Sequence, residues 1–296
     1  MGRHLVPATI LAATLAFAVA ALTAGLVPYR AWWWNPAVRL VTTRRAVRSF
    51  LVTREKENLM NEQSPVVVLV HGAFAESASW NGVVERLQAR SIDVVTAPNP
   101  LRSLDGDAAY VRDVIAGIGR PVVLVAHSYG GMVITEAAAE NPAVKALVYV
   151  CAFAPDQGEN AFGLSVQFPG STLGDALDTY PVSTGGNDLR IKPALFNHQF
   201  CADVPAEQAA VMAATQRPAT DVALTGNLVT ASPAWKTIPS WFVFSDEDLN
   251  IPVALHRFMA ERAGAKDIRE VAGASHALSV SAPEPVTAAI LDALSA

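Results

Sequence analysis

The sequence predicts an α/β fold with a mostly parallel, doubly wound sheet, and three observations carry that prediction. From Pro65 onward, short apolar runs rich in β-branched residues alternate with longer segments of helical pattern. The short runs show little apolar/polar alternation, as strands covered on both faces do. One of them, "PVVLVAHSYGG" from Pro121 to Gly131, runs straight into a serine followed by paired glycines, the pattern of a tight strand-to-helix turn. With 51% hydrophobic and 17% charged residues in 296, the chain can bury one large core, and a disordered protein is excluded.

In chain order, the strands are expected at "VVVLV" (66–70), "IDVVTA" (92–97), "PVVLVA" (121–126), "VKALVYV" (144–150), "SWFVF" (240–244) and "KDIREV" (266–271). The segments between and after them, 78–90, 105–118, 130–140, 252–264 and 283–295, suit helices. Strand and helix in turn give a parallel sheet with helices on both faces. The rhythm breaks once, between about 156 and 236, where a stretch rich in Gly, Pro, Ser and Thr is followed by the helical "PAEQAAVMAATQR". An insertion of that length is expected to form a cap over one edge of the sheet.

Residues 1–59 stand apart from the domain expected over 60–296. Residues 5–27 contain no charge and are long enough to cross a bilayer as a transmembrane helix. Tyr29, Arg30 and Trp32–Trp34 follow, as interfacial anchors do, and the basic excess beyond them would keep the catalytic part cytoplasmic. A signal peptide competes, with Arg3 as its positive start and "AFAVA" as its small-residue cleavage stretch, although the downstream arginines disfavour export. In the third reading Met60 is the true start, which makes the protein cytoplasmic. Residues 1–59 hold eight basic side chains against two acidic ones, so at a whole-chain charge of −5 the remainder is strongly acidic, giving no hint of a nucleic-acid partner. The two cysteines, Cys151 and Cys201, sit in apolar stretches and are read as small buried hydrophobes, with no disulfide framework and no metal motif.

The turn at 126–130 carries the chemistry. A strand ending in a small residue, x, Ser, x, Gly and passing into a helix holds its serine at a strained apex, with the hydroxyl projecting from the C-terminal edge of the sheet. Here Ala126 takes the place usually held by glycine, and Gly130 and Gly131 let the helix start close to the strand. Ser128 is therefore the candidate nucleophile. A serine needs a base oriented by an acid. His276, just after the last expected strand, is the candidate base; His71 and His127 fall in tight turns, His71 being read as structural, and His198 and His256 fall in cap and helix patterns. Asp248 is the candidate acid in "SDEDLNIP", with Asp246 and Asp156 as alternatives. In "VLVHGAF", Gly72 allows close approach to a substrate carbonyl, and the backbone N–H groups of Ala73 and Tyr129 are expected to form an oxyanion hole.

On "VLVHGAF", "AHSYGG", "DEDLNIP" and "ASHA", residues 65–296 resemble the α/β-hydrolase superfamily. Within it they are similar to a small cofactor-free branch that includes bacterial carboxylesterases and the plant methyl esterase and hydroxynitrile lyase group. The resemblance implies an α/β-hydrolase fold with a cap between strands 6 and 7, and gives Ser128, Asp248, His276, Ala73 and Tyr129 the roles already reached from chemistry. It implies no cofactor and a small-molecule ester as partner. The lyases of this group place a lysine after the catalytic histidine, and here Ala277 follows His276, which favours hydrolysis.

The expected activity is that of a carboxylesterase-type serine hydrolase. The cap residues Phe162, Leu164, Phe168, Leu195, Phe196 and Phe200 are expected to favour small to medium hydrophobic esters. A cofactor-free perhydrolase or haloperoxidase, and a hydrolase-fold ligand-binding receptor, are the alternatives. Membrane association would run through residues 5–27.

Overall fold

The computed structural model describes residues 64–183 and 185–296. The apolar segment 5–27, the aromatic and basic residues after it, and Met60 lie outside the described residues. Among the described residues no helix is long and apolar enough to cross a membrane.

The chain runs β1 (Val66–Val70), α1 (Asn81–Gln88), β2 (Val94–Ala97), α2 (Leu104–Ile118), β3 (Val122–His127), α3 (Gly130–Ala137) and β4 (Val144–Val150). An insertion follows, with α4 (Ala161–Ser165), α5 (Leu173–Ala176), β5 (Leu177–Pro181), β6 (Asn187–Ile191), α6 (Pro193–Phe200), α7 (Ala206–Thr215), β7 (Ala219–Thr220) and α8 (Asp221–Thr225). It then returns through β8 (Ser240–Ser245), α9 (Val253–Arg262), β9 (Asp267–Val271), α10 (Leu278–Ser281) and α11 (Pro283–Leu294). Short 3-10 turns at Ser77–Trp80 and Ala234–Lys236 complete it.

Six strands form the main sheet in the order β2-β1-β3-β4-β8-β9, every pairing parallel. All residues of β1, β3 and β8 are buried, whereas the edge strand β9 alternates between exposed and half-buried positions, and β2 does so up to buried Ala97. Helices must therefore cover both faces of the middle strands. α2 packs on α3, and α11 packs on α1 and on β4 and β8. The order of strands reverses between β1 and β3, the switch point outside which open α/β sheets hold ligands. Ala73 follows β1 and Ser128 follows β3, so the two flank that point.

The strands expected at 66–70 and 144–150 have those limits, and the other four agree within two residues. The helix expected from 78 begins as a 3-10 turn, and the one expected over 130–140 ends at Ala137. The superfamily count places the cap between strands 6 and 7; along this chain it enters between the fourth and fifth strands of the main sheet. The insertion also contains a three-stranded antiparallel sheet, β5-β6-β7, which the sequence reading lacks.

Candidate active site

β3 ends at His127 and α3 begins at Gly130, leaving two residues for the turn. Ser128 sits there with φ of 55°, in the left-handed region that a non-glycine residue occupies only when its surroundings hold it. Its N–H donates to the carbonyls of Val150 and Cys151, and its carbonyl accepts from Gly131 and Phe153. The glycines are sterically required: a Cβ on Gly131 would lie 2.1 Å from the Phe153 carbonyl oxygen, and one on Gly130 2.7 Å from that of Val70.

Gly72 lies equally close, since a Cβ there would be 2.5 Å from Ser128 Cβ and 3.2 Å from Ser128 Oγ. The backbone after β1 thus runs against the serine side chain. The amides of Ala73 and Tyr129 donate to no group among the described residues, and both residues line the cavity that Ser128 faces. Tyr129 also opens α3, which has no side-chain cap, so the positive end of that helix points toward the cavity. The Tyr129 phenol donates to Asp107 Oδ2 at 3.0 Å, fixing the residue that presents the second amide.

Asp248 and His276 meet, with His276 Nδ1 2.6 Å from Asp248 Oδ2 and both side chains buried. The other carboxylate oxygen accepts from the N–H groups of Asn250 at 2.8 Å and Ile251 at 2.9 Å. Burial alone would raise the Asp248 carboxyl, but its electrostatic interaction with His276 and the hydrogen bonds from His256 and His276 hold it well below the usual carboxylate range. As an ionised acceptor it obliges His276 to carry its proton on Nδ1, leaving Nε2 as the basic nitrogen. The alternatives do not meet His276: Asp156 pairs with Lys236 at 2.5 Å, and Asp246 accepts from the Gly273 amide at 2.7 Å. No hydrogen bond joins Ser128 Oγ to His276 in this structure; such contacts tighten in the Michaelis complex.

Two further histidines brace the site. His127 Nε2 lies 2.9 Å from the His276 carbonyl oxygen, and the two rings are 4.6 Å apart. Burial lowers its pKa to about 3, so it is neutral. His71 donates from Nδ1 to the Gly72 carbonyl at 2.9 Å and accepts the Asn99 amide on Nε2 at 3.0 Å, a structural role; burial lowers its pKa to about 4. Phe200 lies edge-on to His276 at 5.0 Å. Sequence position alone marked His127 only as part of a turn, and its bond across 149 residues has no local signal.

A cavity of about 740 Å³ opens beside Ser128, lined mainly by apolar groups. Of the six cap residues expected to wall it, Phe162 and Phe168 do. Leu164, Phe196 and Phe200 instead pack in the core, and Leu195 is turned partly to solvent. Leu173, Leu177, Leu189 and Leu224 take their place. The cap is bonded to the loop that carries Asp248. The Thr172 amide donates to Leu249 O, and Ser171 Oγ donates to Asn250 O. Gln199 Nε2 donates to Leu249 O and Asn250 Oδ1, and Asn250 Nδ2 donates to Gln199 O.

Residues 67–289 match the alpha/beta hydrolase family, and the chain belongs to it. Among relatives, it is 28% identical over 224 residues to "Alpha/beta hydrolase nvfD" of Aspergillus novofumigatus, covering 69% of this chain and 86% of that one. It is 27% identical over 237 residues to "Methylesterase 9" of Arabidopsis thaliana, covering 73% and 93%. The fold is similar to that of polyneuridine aldehyde esterase, with a TM-score of 0.66 at 22% identity over 78% of this chain and 99% of the other.

Proposed function

We propose that this protein hydrolyses carboxylic esters of small to medium hydrophobic substrates through an acyl-enzyme on Ser128. The observation that carries the proposal is the buried Asp248–His276 hydrogen bond at the rim where Ser128 is held at positive φ. Similarity to proteins named as esterases supports the choice of ester.

In this mechanism Ser128 Oγ attacks the ester carbonyl carbon while His276 Nε2 takes its proton. The carbonyl oxygen becomes an oxyanion facing the amides of Ala73 and Tyr129, each such donor contributing about 3 kcal/mol in the transition state. His276 returns the proton to the leaving alkoxide as the C–O bond breaks. Water then attacks the acyl-enzyme, giving its proton to His276, and the proton passes to Ser128 Oγ as the acid leaves. Asp248 keeps His276 in the working tautomer and stabilises its protonated form. The cavity volume lies in the range that takes small organic molecules.

The Ser128→Ala variant tests this on p-nitrophenyl butyrate. A fall in kcat of about 10⁴-fold or more is expected; full turnover would overturn the assignment.

A further inference from the structure

Asp248 serves two imidazoles, and only one has a part in the steps above. His256 Nε2 lies 3.2 Å from Asp248 Oδ2, the same oxygen that His276 Nδ1 approaches. An ionised carboxylate only accepts, so His256 carries its proton on Nε2. Its Nδ1 is then a bare acceptor, and among the described residues that atom is buried without a hydrogen-bond partner. Protonating it would add a buried N–H with nothing to receive it, which keeps His256 neutral. Burial, the largest influence on this group, lowers its pKa in the same sense.

His256 projects from α9, the helix that follows the acid's loop, and its ring stacks on Phe244 of β8 at 5.0 Å with the planes 10° apart. It is thereby clamped against the strand that leads to Asp248. It does not line the cavity. A phenylalanine would make the same stack without burying an unpartnered nitrogen, so packing alone does not account for an imidazole here; a donor to Asp248 does.

We infer, on the reading that Asp248 is the acid of the reaction, that His256 is a positioning residue whose Nε2–H holds Asp248 Oδ2 where the carboxylate orients His276. The titratable groups facing it are Asp248 and His276 from the loops after β8 and β9, Glu270 from β9, and Cys151 from the turn after β4. Glu270 is already paired with Arg257 at 2.5 Å. Burial pushes the Cys151 thiol up, so it stays neutral. Asp248 is the anion that His256 bonds.

The test is the kinetics of p-nitrophenyl butyrate hydrolysis over a range of pH, on the full chain and three variants. Asp248→Asn examines the underlying reading: a loss in kcat of about 10³-fold or more is expected, and unchanged kcat overturns that reading. His256→Phe keeps the stack and removes the donor, while His256→Gln places an amide N–H at about the reach of Nε2. His256→Phe is expected to lower kcat about tenfold with KM within about twofold. It also moves the acidic limb of kcat/KM to higher pH, because a carboxylate with one donor fewer holds protonated His276 more tightly. His256→Gln restores both kcat and the limb. With Asp248→Asn inactive, a His256→Phe variant indistinguishable from the parent overturns the inference, as does a His256→Gln variant impaired as severely as His256→Phe. Nitrogen-15 NMR of the unaltered protein gives a readout independent of variant folding. The Nε2–H tautomer of His256 is expected at pH 7, and the Nδ1–H tautomer or an imidazolium overturns the inference.

Discussion

Strands β3 and β5 are of similar length, yet every residue of β3 is buried, whereas β5 runs from half-buried Leu177 and Asp178 to exposed Thr179, Tyr180 and Pro181. β3 lies in the middle of a parallel sheet with helices over both faces; β5 is the edge of a small antiparallel sheet in the cap. The first ends in the turn that carries Ser128, and the second places Leu177 and Thr179 on the cavity wall. The candidate nucleophile thus follows a strand that is wholly buried, and part of the cavity wall lies on one that is half-buried to exposed. Substitutions in the body are expected to change the rate, and those in the cap the affinity.

The largest contrast is between two aspartates. Asp248→Asn is expected to lower kcat about 10⁴-fold, by removing the charge that sets the His276 tautomer. Asp156→Asn, which loses a half-exposed pair with Lys236, leaves kcat within about twofold. Comparable losses in the two variants would break the division between rim and periphery.

Acid stability sharpens it next. His71 and His127 belong to the body, and burial lowers both, from 6.5 to about 4 and about 3. The unfolded chain binds protons at these positions before the folded one does, so the stability they permit is complete above pH 6.5 and falls as the pH drops through this window. By pH 5 each histidine is expected to lower stability by about 2 kcal/mol. Urea denaturation at pH 7 and pH 5 measures the change, and equal stability at both would contradict the burial of these rings.

The smallest effect belongs to the cap wall. Phe168 lines the cavity and packs on Phe258 at 5.6 Å. Phe168→Ala is expected to raise KM for the butyrate ester about five- to tenfold with kcat within about twofold. A loss confined to kcat would place Phe168 with the body rather than with the wall.

The same contrast governs what was legible in the sequence. Parallel strands buried on both faces are written as near-continuous apolar runs, so "VVVLV" disclosed β1 to the residue, and "VKALVYV" disclosed β4 although exposed Lys145 interrupts it. The turn at Ser128 was equally plain, because only glycine fits where Gly131 meets the Phe153 carbonyl. The place after β8 narrowed the acid to Asp246, Glu247 and Asp248 without separating them; the carboxylate bonded to His276 is that of Asp248. The cap strands left no such trace. β5 is "LDTYP" and β6 "NDLRI", where Asp, Asn and Pro, all poor strand formers, interrupt the apolar pattern. β7 has two residues and exists only through its pairing with β6. His256 was hidden for a different reason: it is eight residues beyond Asp248, and only the path of the chain into α9 brings its ring back to the carboxylate.

The bonds that tie Gln199, Ser171 and Thr172 to residues 249 and 250 constrain how this protein can acquire new specificities. A chimera carrying a foreign lid would have to reproduce the side-chain amide at 199 and the donors at 171 and 172, or the aspartate two residues away would be drawn off its imidazole. Phe162 and Val166 stand at the mouth with more than 60% of their surface in solvent. Laboratory evolution toward bulkier esters is expected to accumulate its first changes at those two positions and to leave the seam intact.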